Sequence, residues 1–270
     1  MKYNPELLVF KEASHRYYYD GKAVPSVTTI LGIIGKDALV PWAAKIAAER
    51  FARDLTKFNS ESSYMTVDDI ERMRASSAKS FSTDGKEGAR LGTLVHESIE
   101  DHLNSSKTPP KAALGYVNAF KDWWDEEKKS YDIVALEHRL FHHQYLYAGT
   151  CDMILRNKIT NSIKVVDYKT SKRSKYAPWG IYPEYLLQAA AYAEAWNAST
   201  DSLRDSCVET TILNVAADGT YLTCTRDTFD ISQDWQTFRQ AQVLRENLKA
   251  LEQFVKPEKK KKKNYDFPQR

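Results

Sequence analysis

Cysteine is scarce in this chain. Only Cys151, Cys207 and Cys224 occur among 270 residues, and no two of them form a CxxC pair. That excludes a disulfide framework and a four-cysteine metal or iron–sulfur site, and it fits a reducing compartment. Long apolar runs are also missing: no stretch approaches the roughly 20 residues that a membrane helix needs. Residues 1–10 carry neither the apolar core of a signal peptide nor an Arg-rich transit pattern. The expectation is a soluble, cytoplasmic protein with no membrane partner. A strong charge of one sign is absent too, since 39 Lys and Arg stand against 36 acidic residues for a net charge of +3. Bulk electrostatics would not steer such a chain onto a polyanion, so any nucleic-acid surface must be local.

What is present reads as one large globular domain with an elaborated arm. Tyr17 to Thr28 predicts a short hairpin with its turn at Asp20-Gly21, followed by a helix capped by Ser26 or Thr28. Pro41-Trp42 opens a helical run from Ala43 to Leu55, which residues 59–63 break. Thr66 to Asp69 resembles a capping box ahead of a helix from Ile70 to Ala78, and a polar loop is expected from Ser82 to Gly88. Leu91, Leu94, Val95, Ile99 and Leu103 recur at helical spacing. A further helix is expected over 112–129, where the spacing of Tyr116, Phe120, Trp123 and Trp124 is better explained by core packing than by base stacking. Strands then follow at 133–141, 147–156 and 163–170, a helix at 183–197, strands at 208–216 and 221–226, and a last helix at 233–254. The order is βββαββ, with no internal repeat. The lysine run 259–263 reads as a solvated tail, with sequence-independent DNA affinity as the sharper alternative.

Chemistry concentrates in two of these strands. Asp152 ends an apolar approach, while Asp167 and Lys169 interrupt what otherwise reads as a buried strand. Strand alternation puts Asp167 and Lys169 on one face, about 7 Å apart by the rise per residue. Asp152 and Asp167 lie equally far from the turn at 157–162, which makes them cross-strand neighbours. Two converging carboxylates repel unless a divalent cation compensates, and oxygen ligands suit magnesium or manganese. Lys169 could then position or help deprotonate an attacking water and stabilise charge on a phosphate. Read alone, Asp-Tyr-Lys fits a structural ion pair equally well. The context is helical: His96 and Glu100 share one helix face, as do Gln188 and Tyr192.

In chain order, Gly92-x3-His96-x3-Glu100, Glu137, Gly149-x2-Asp152, Asp167-x-Lys169 and Gln188-x3-Tyr192 resemble the RecB-like branch of the PD-(D/E)XK nucleases. The Pro25-Ser26-Val27-Thr28 opening and helical arm are similar to phage-encoded exonucleases and to the mitochondrial genome maintenance exonucleases. The resemblance implies an α/β fold, a restriction-endonuclease-like core of a mixed sheet flanked by helices, with an N-terminal helical arm. Residues 1–90 would form hairpin and arm within the same domain, 91–255 the nuclease core and 256–270 a basic tail. It further implies one or two Mg2+ or Mn2+ ions, no iron–sulfur cluster, and His96, Asp152, Asp167 and the Tyr168 carbonyl as metal ligands. Lys169 would serve the water, Gln188 and Tyr192 would place Lys169 and the scissile phosphate, and Glu100 would orient its neighbours. Glu137 is left open between reaching a second metal or metal-bound water and a structural acid. Lys172, Arg173 and Lys175 are read equally as phosphate contacts or as a solvated loop. The implied activity is exonucleolytic cleavage from a free DNA end, in recombination, replication or repair in a phage or its bacterial host. A single-strand annealing or binding protein would be its partner. A sequence-specific or nonspecific endonuclease and a non-cutting DNA scaffold are the alternatives.

Overall fold

The computed structural model describes residues 4–34, 39–61, 64–105, 107–170, 180–200 and 205–255. A five-stranded mixed sheet carries the architecture: β4 (Tyr131–His142), β5 (Tyr147–Asn157), β6 (Ile163–Lys169), β7 (Cys207–Val215) and β8 (Tyr221–Arg226), in that spatial order. Neighbours pair antiparallel except β6 and β7, which are parallel and therefore need a crossover. That crossover contains α5 (Pro183–Ser199), which opens with Pro183 at a position where a missing N–H costs nothing. The five strands and their order agree with the sequence reading. Among the described residues no helix is long and apolar enough to cross a membrane.

Each face of the sheet is covered because the central strands are apolar on both sides. Ile163, Val165 and Ile154 pack with α5, with α1 (Val27–Leu31) and with α6 (Thr228–Val255). Ala189, Ala190, Ala191, Ala193 and Ala195 are all buried in α5, and their small side chains let this helix be enclosed between sheet and α6. On the opposite face, Val166, Tyr168, Met153 and Leu155 pack against Val95 and Ile99 and against α4 (Leu114–Glu127). Tyr116, Phe120 and Trp123 are buried there, so the aromatics of α4 are core residues. Gly115 is needed at the start of that helix, because a Cβ on it would lie 1.8 Å from the Ala217 carbonyl oxygen.

A second, three-stranded antiparallel sheet precedes the core: β1 (Leu8–Lys11), β2 (Arg16–Tyr19) and β3 (Lys22–Val24). The expected hairpin is β2–β3, turned by Asp20 and Gly21 with φ of 48° and 72°, the left-handed pair that a two-residue hairpin demands. β1 carries no alternation long enough to announce itself and was not foreseen. Ser26 caps α1 by accepting from the Thr29 N–H at 3.0 Å. The Ala148 N–H donates to the Pro25 carbonyl at 3.0 Å, and the Tyr17 hydroxyl meets Thr150 at 2.7 Å, tying this sheet to β5.

The arm differs from expectation. α2 spans Leu39–Glu61, so Pro41 falls within its first turn rather than opening it. The capping box is real: the Thr66 N–H donates to Asp69 at 2.9 Å and the Asp69 N–H to Thr66 at 3.2 Å. The helix it starts, α3 (Val67–Ser105), does not stop at Ala78 but runs unbroken through the stretch 82–88 expected as a loop, and through 90–91. Gly85 and Gly88 weaken a helix by only about 1 kcal/mol each, and neither Pro nor a competing cap interrupts the stretch. Met73, Ser77 and Ser80, at helical spacing, are buried on one face.

Candidate active site

Three neighbouring strands deliver one acid each to a single row. Met153 pairs with Val166 at the end of the β5–β6 ladder, which puts Asp152 beside Asp167 at the next position. Leu136–Met153 and His138–Cys151 flank Glu137, which sets it opposite Asp152. Glu137 adopts φ of 45° within β4, a left-handed backbone that costs a non-glycine residue on the order of 1–3 kcal/mol and concentrates at functional sites. α3 crosses above the row and lowers His96 into it, its Nδ1 at 3.3 Å from Asp152. Ligand atoms of His96, Glu137 and Asp152 lie within 4.8 Å of one another. Thus Glu137 joins the cluster that the sequence reading assigned to His96, Asp152, Asp167 and Tyr168.

Asp167 is 1% exposed and Asp152 8%, so their charges cannot be left to solvent. Asp152 is answered from several sides: the Tyr168 N–H donates to it at 2.6 Å, and His96 and Lys169 add positive charge. Burial pushes its carboxyl up, but these partners outweigh burial and hold it below the usual carboxylate range. Burial, with the Asp152 charge adding to it, pushes Asp167 up to about 6 despite the paired Lys169 ammonium. Burial also raises Glu137, whose carboxyl turns toward the cluster although the residue as a whole is exposed. The charges of Asp152, Glu100 and Asp167 add to this and His96 opposes it, leaving Glu137 at about 7. His96 is pulled down by burial, yet the Asp152 carboxylate overrides that and lifts it to about 9. The imidazolium and the Lys169 ammonium therefore balance excess negative charge in the row.

Those observations fit a divalent cation. Among the described residues the Lys169 ammonium is the one group that meets Asp167 Oδ2, on a carboxylate that is almost fully buried. One imidazole nitrogen with several carboxylate oxygens is a donor set for a hard to borderline ion such as Mg2+ or Mn2+.

α5 closes the row from the other side. Gln188 Nε2 donates to the Tyr192 hydroxyl at 2.8 Å, and the Tyr192 ring lies against Gly149. Tyr185, which the sequence reading missed, places its ring 4.9 Å from the Lys169 ammonium. Its signal was available, since Tyr185, Gln188 and Tyr192 recur at three and four residues on one face of α5. Glu100 lies near enough to Glu137 to raise its pKa. Gly92 sits over Thr170 with ordinary room for a Cβ, so its glycine is not required by space. Lys172, Arg173 and Lys175, and the lysine run 259–263, fall outside the described residues.

A family model described as the PD-(D/E)XK nuclease superfamily matches residues 109–270. No curated protein matches the chain. The matched span holds Glu137, Asp152, Asp167 and Lys169, whereas His96 lies upstream of it and joins them through the packing of α3. With more than half of its length matched and a mixed five-stranded sheet flanked by helices, the chain belongs to the PD-(D/E)XK nuclease superfamily.

Proposed function

We propose that the protein is a metal-dependent deoxyribonuclease of the RecB-like branch, acting as an exonuclease on DNA ends during recombination, replication or repair in a phage or its host. The observation that carries this reading is the convergence of His96, Glu137 and Asp152 beside the buried Asp167–Lys169 pair. His96, Asp152, Asp167 and the Tyr168 carbonyl would hold Mg2+ or Mn2+, with Glu137 as a further oxygen donor. When bound, the ion supplies Lewis-acid stabilisation of charge on the phosphoryl oxygen. Lys169 is lowered by burial but raised further by Asp167 and Asp152, so its amine stays protonated. In that state it acts as a hydrogen-bond donor and positive charge toward water and phosphate. The Tyr185 ring restricts the swing of the ammonium, and the Gln188–Tyr192 bond fixes the wall beside it.

The test is digestion of linear single- and double-stranded DNA, labelled at either end, with magnesium or manganese supplied separately and a closed circle alongside. Release of nucleotides from the linear forms alone is expected. Efficient cutting of the circle would establish an endonuclease instead, and binding without cutting in either metal would leave a DNA-holding scaffold.

A further inference from the structure

Beside the acid row lies a cleft of about 450 Å³ whose floor is β4 and β5 and whose opposite wall is the N-terminal sheet. Glu137 and Asp152 stand at one end of it, and Arg139 lies two residues beyond Glu137 on the same lining, about 7 Å along the strand. Among the described residues the Arg139 guanidinium has no ion-pair or hydrogen-bond partner, although Glu137 is close in sequence, because the Glu137 carboxyl is turned to His96 and Asp152. The facing wall carries three rings beside the carboxylate of Glu12: Phe10 stacks edge-on with His15 at 5.1 Å and leans on Tyr17 at 4.6 Å. Tyr17 is in turn bonded to Thr150, the residue paired with Arg139 across β4–β5. The wall is thus fixed to the floor before any ligand arrives.

A free guanidinium in a cleft that also holds aromatic rings, two residues from Glu137, is chemistry for a nucleotide: phosphate to the cation, base to the rings. The cleft volume is of small-ligand size, suited to an unpaired strand and not to a base-paired helix. Resting on the nuclease reading above, we propose that this cleft seats the nucleotide adjoining the scissile phosphate of a single-stranded DNA end, with Arg139 holding the neighbouring phosphate.

Anisotropy of a labelled single-stranded oligonucleotide, with calcium in place of magnesium, tests the contact on the full chain. Arg139→Gln should weaken binding about tenfold and make the salt dependence of log K shallower by about 0.7. Arg139→Lys should keep that salt slope while losing part of the affinity. In cleavage assays the rise in KM for Arg139→Gln should exceed any fall in kcat, at an unchanged unfolding midpoint. Unaltered affinity and slope in Arg139→Gln overturn the proposal, as does a blunt duplex binding as tightly as the single strand. An abasic oligonucleotide should bind more weakly than its parent, and equal binding overturns the aromatic wall's role. Arg139-dependent binding in a chain that cuts no DNA with magnesium or manganese would sink the nuclease reading alone. Cutting with Arg139-independent binding would sink this inference alone.

Discussion

The ring of Tyr192 fills the space a side chain at position 149 would occupy: a Cβ on Gly149 would lie 2.4 Å from Tyr192 Cε1. Two segments far apart in sequence, Gly149-x2-Asp152 and Gln188-x3-Tyr192, are thereby locked to one another. Gly149→Ala should push the ring out of place, loosen its bond to Gln188 and lower kcat by about 10- to 100-fold, the scale of a 1 Å misplacement. Combining Gly149→Ala with Tyr192→Val should recover part of the lost stability in thermal unfolding. Additive destabilisation in the double variant would contradict the contact.

Lys169→Ala and Asp152→Ala should each reduce DNA cleavage by about 100-fold or more, with circular dichroism unchanged. Asp152→Asn should also lower the pKa of His96 from about 9, because the carboxylate that raises it is gone; histidine NMR titration reads this directly. Full activity in purified Lys169→Ala protein would refute the assignment.

Manganese should raise the melting temperature of the wild-type chain, by about 2.7 kcal/mol of stabilisation when the ion is present at a hundred times its dissociation constant. His96→Ala and Glu137→Ala should each blunt that shift. A shift of wild-type size in both variants would place the ion elsewhere.

His142 gives a pH dependence remote from the acid row. It is buried, stacked on Trp235 at 5.5 Å and 9°, and accepts from the Tyr145 N–H at 3.3 Å. Burial, with help from His143 and Arg239, lowers it from 6.5 to about 4. The folded pKa is depressed, so the unfolded chain binds this proton first. The stability contributed by neutral His142 is complete above about pH 6.5 and lost as the pH falls toward 4. The loss is on the order of 2–3 kcal/mol. Denaturant titrations at several pH values should show that fall in the wild type and a smaller one in His142→Phe.

Gly115→Ala should destabilise the fold by about 1–3 kcal/mol or more, because the added methyl meets backbone at Ala217 and backbone cannot rotate away. Chemical denaturation checks this, and a neutral result would mean that α4 can slide from the β7–β8 turn.

Much of this was legible in the sequence where burial conflicts with charge. Asp167 and Lys169 interrupt an apolar strand, and such an interruption demands a partner or an ion, so both the strand and the acid row could be read. The capping box at Thr66–Asp69 likewise names its own hydrogen bonds. What failed depended on tertiary context. Ser, Thr and Gly at 82–88 resemble a loop, yet the packed faces on either side carry the helix across them. The left-handed Glu137 leaves no trace in residue type, so its place beside Asp152 and His96 shows only in the β4–β5 register. The aromatic wall needed β1, a strand too short to show a period.

The unbroken α3 has a mechanical consequence. His96 sits 29 residues after Val67 on one helix, a span of roughly 44 Å at 1.5 Å per residue. The imidazole at the acid row is therefore mounted on the same lever as the far end of the arm, and a load applied at that end is delivered to His96 without a joint between them.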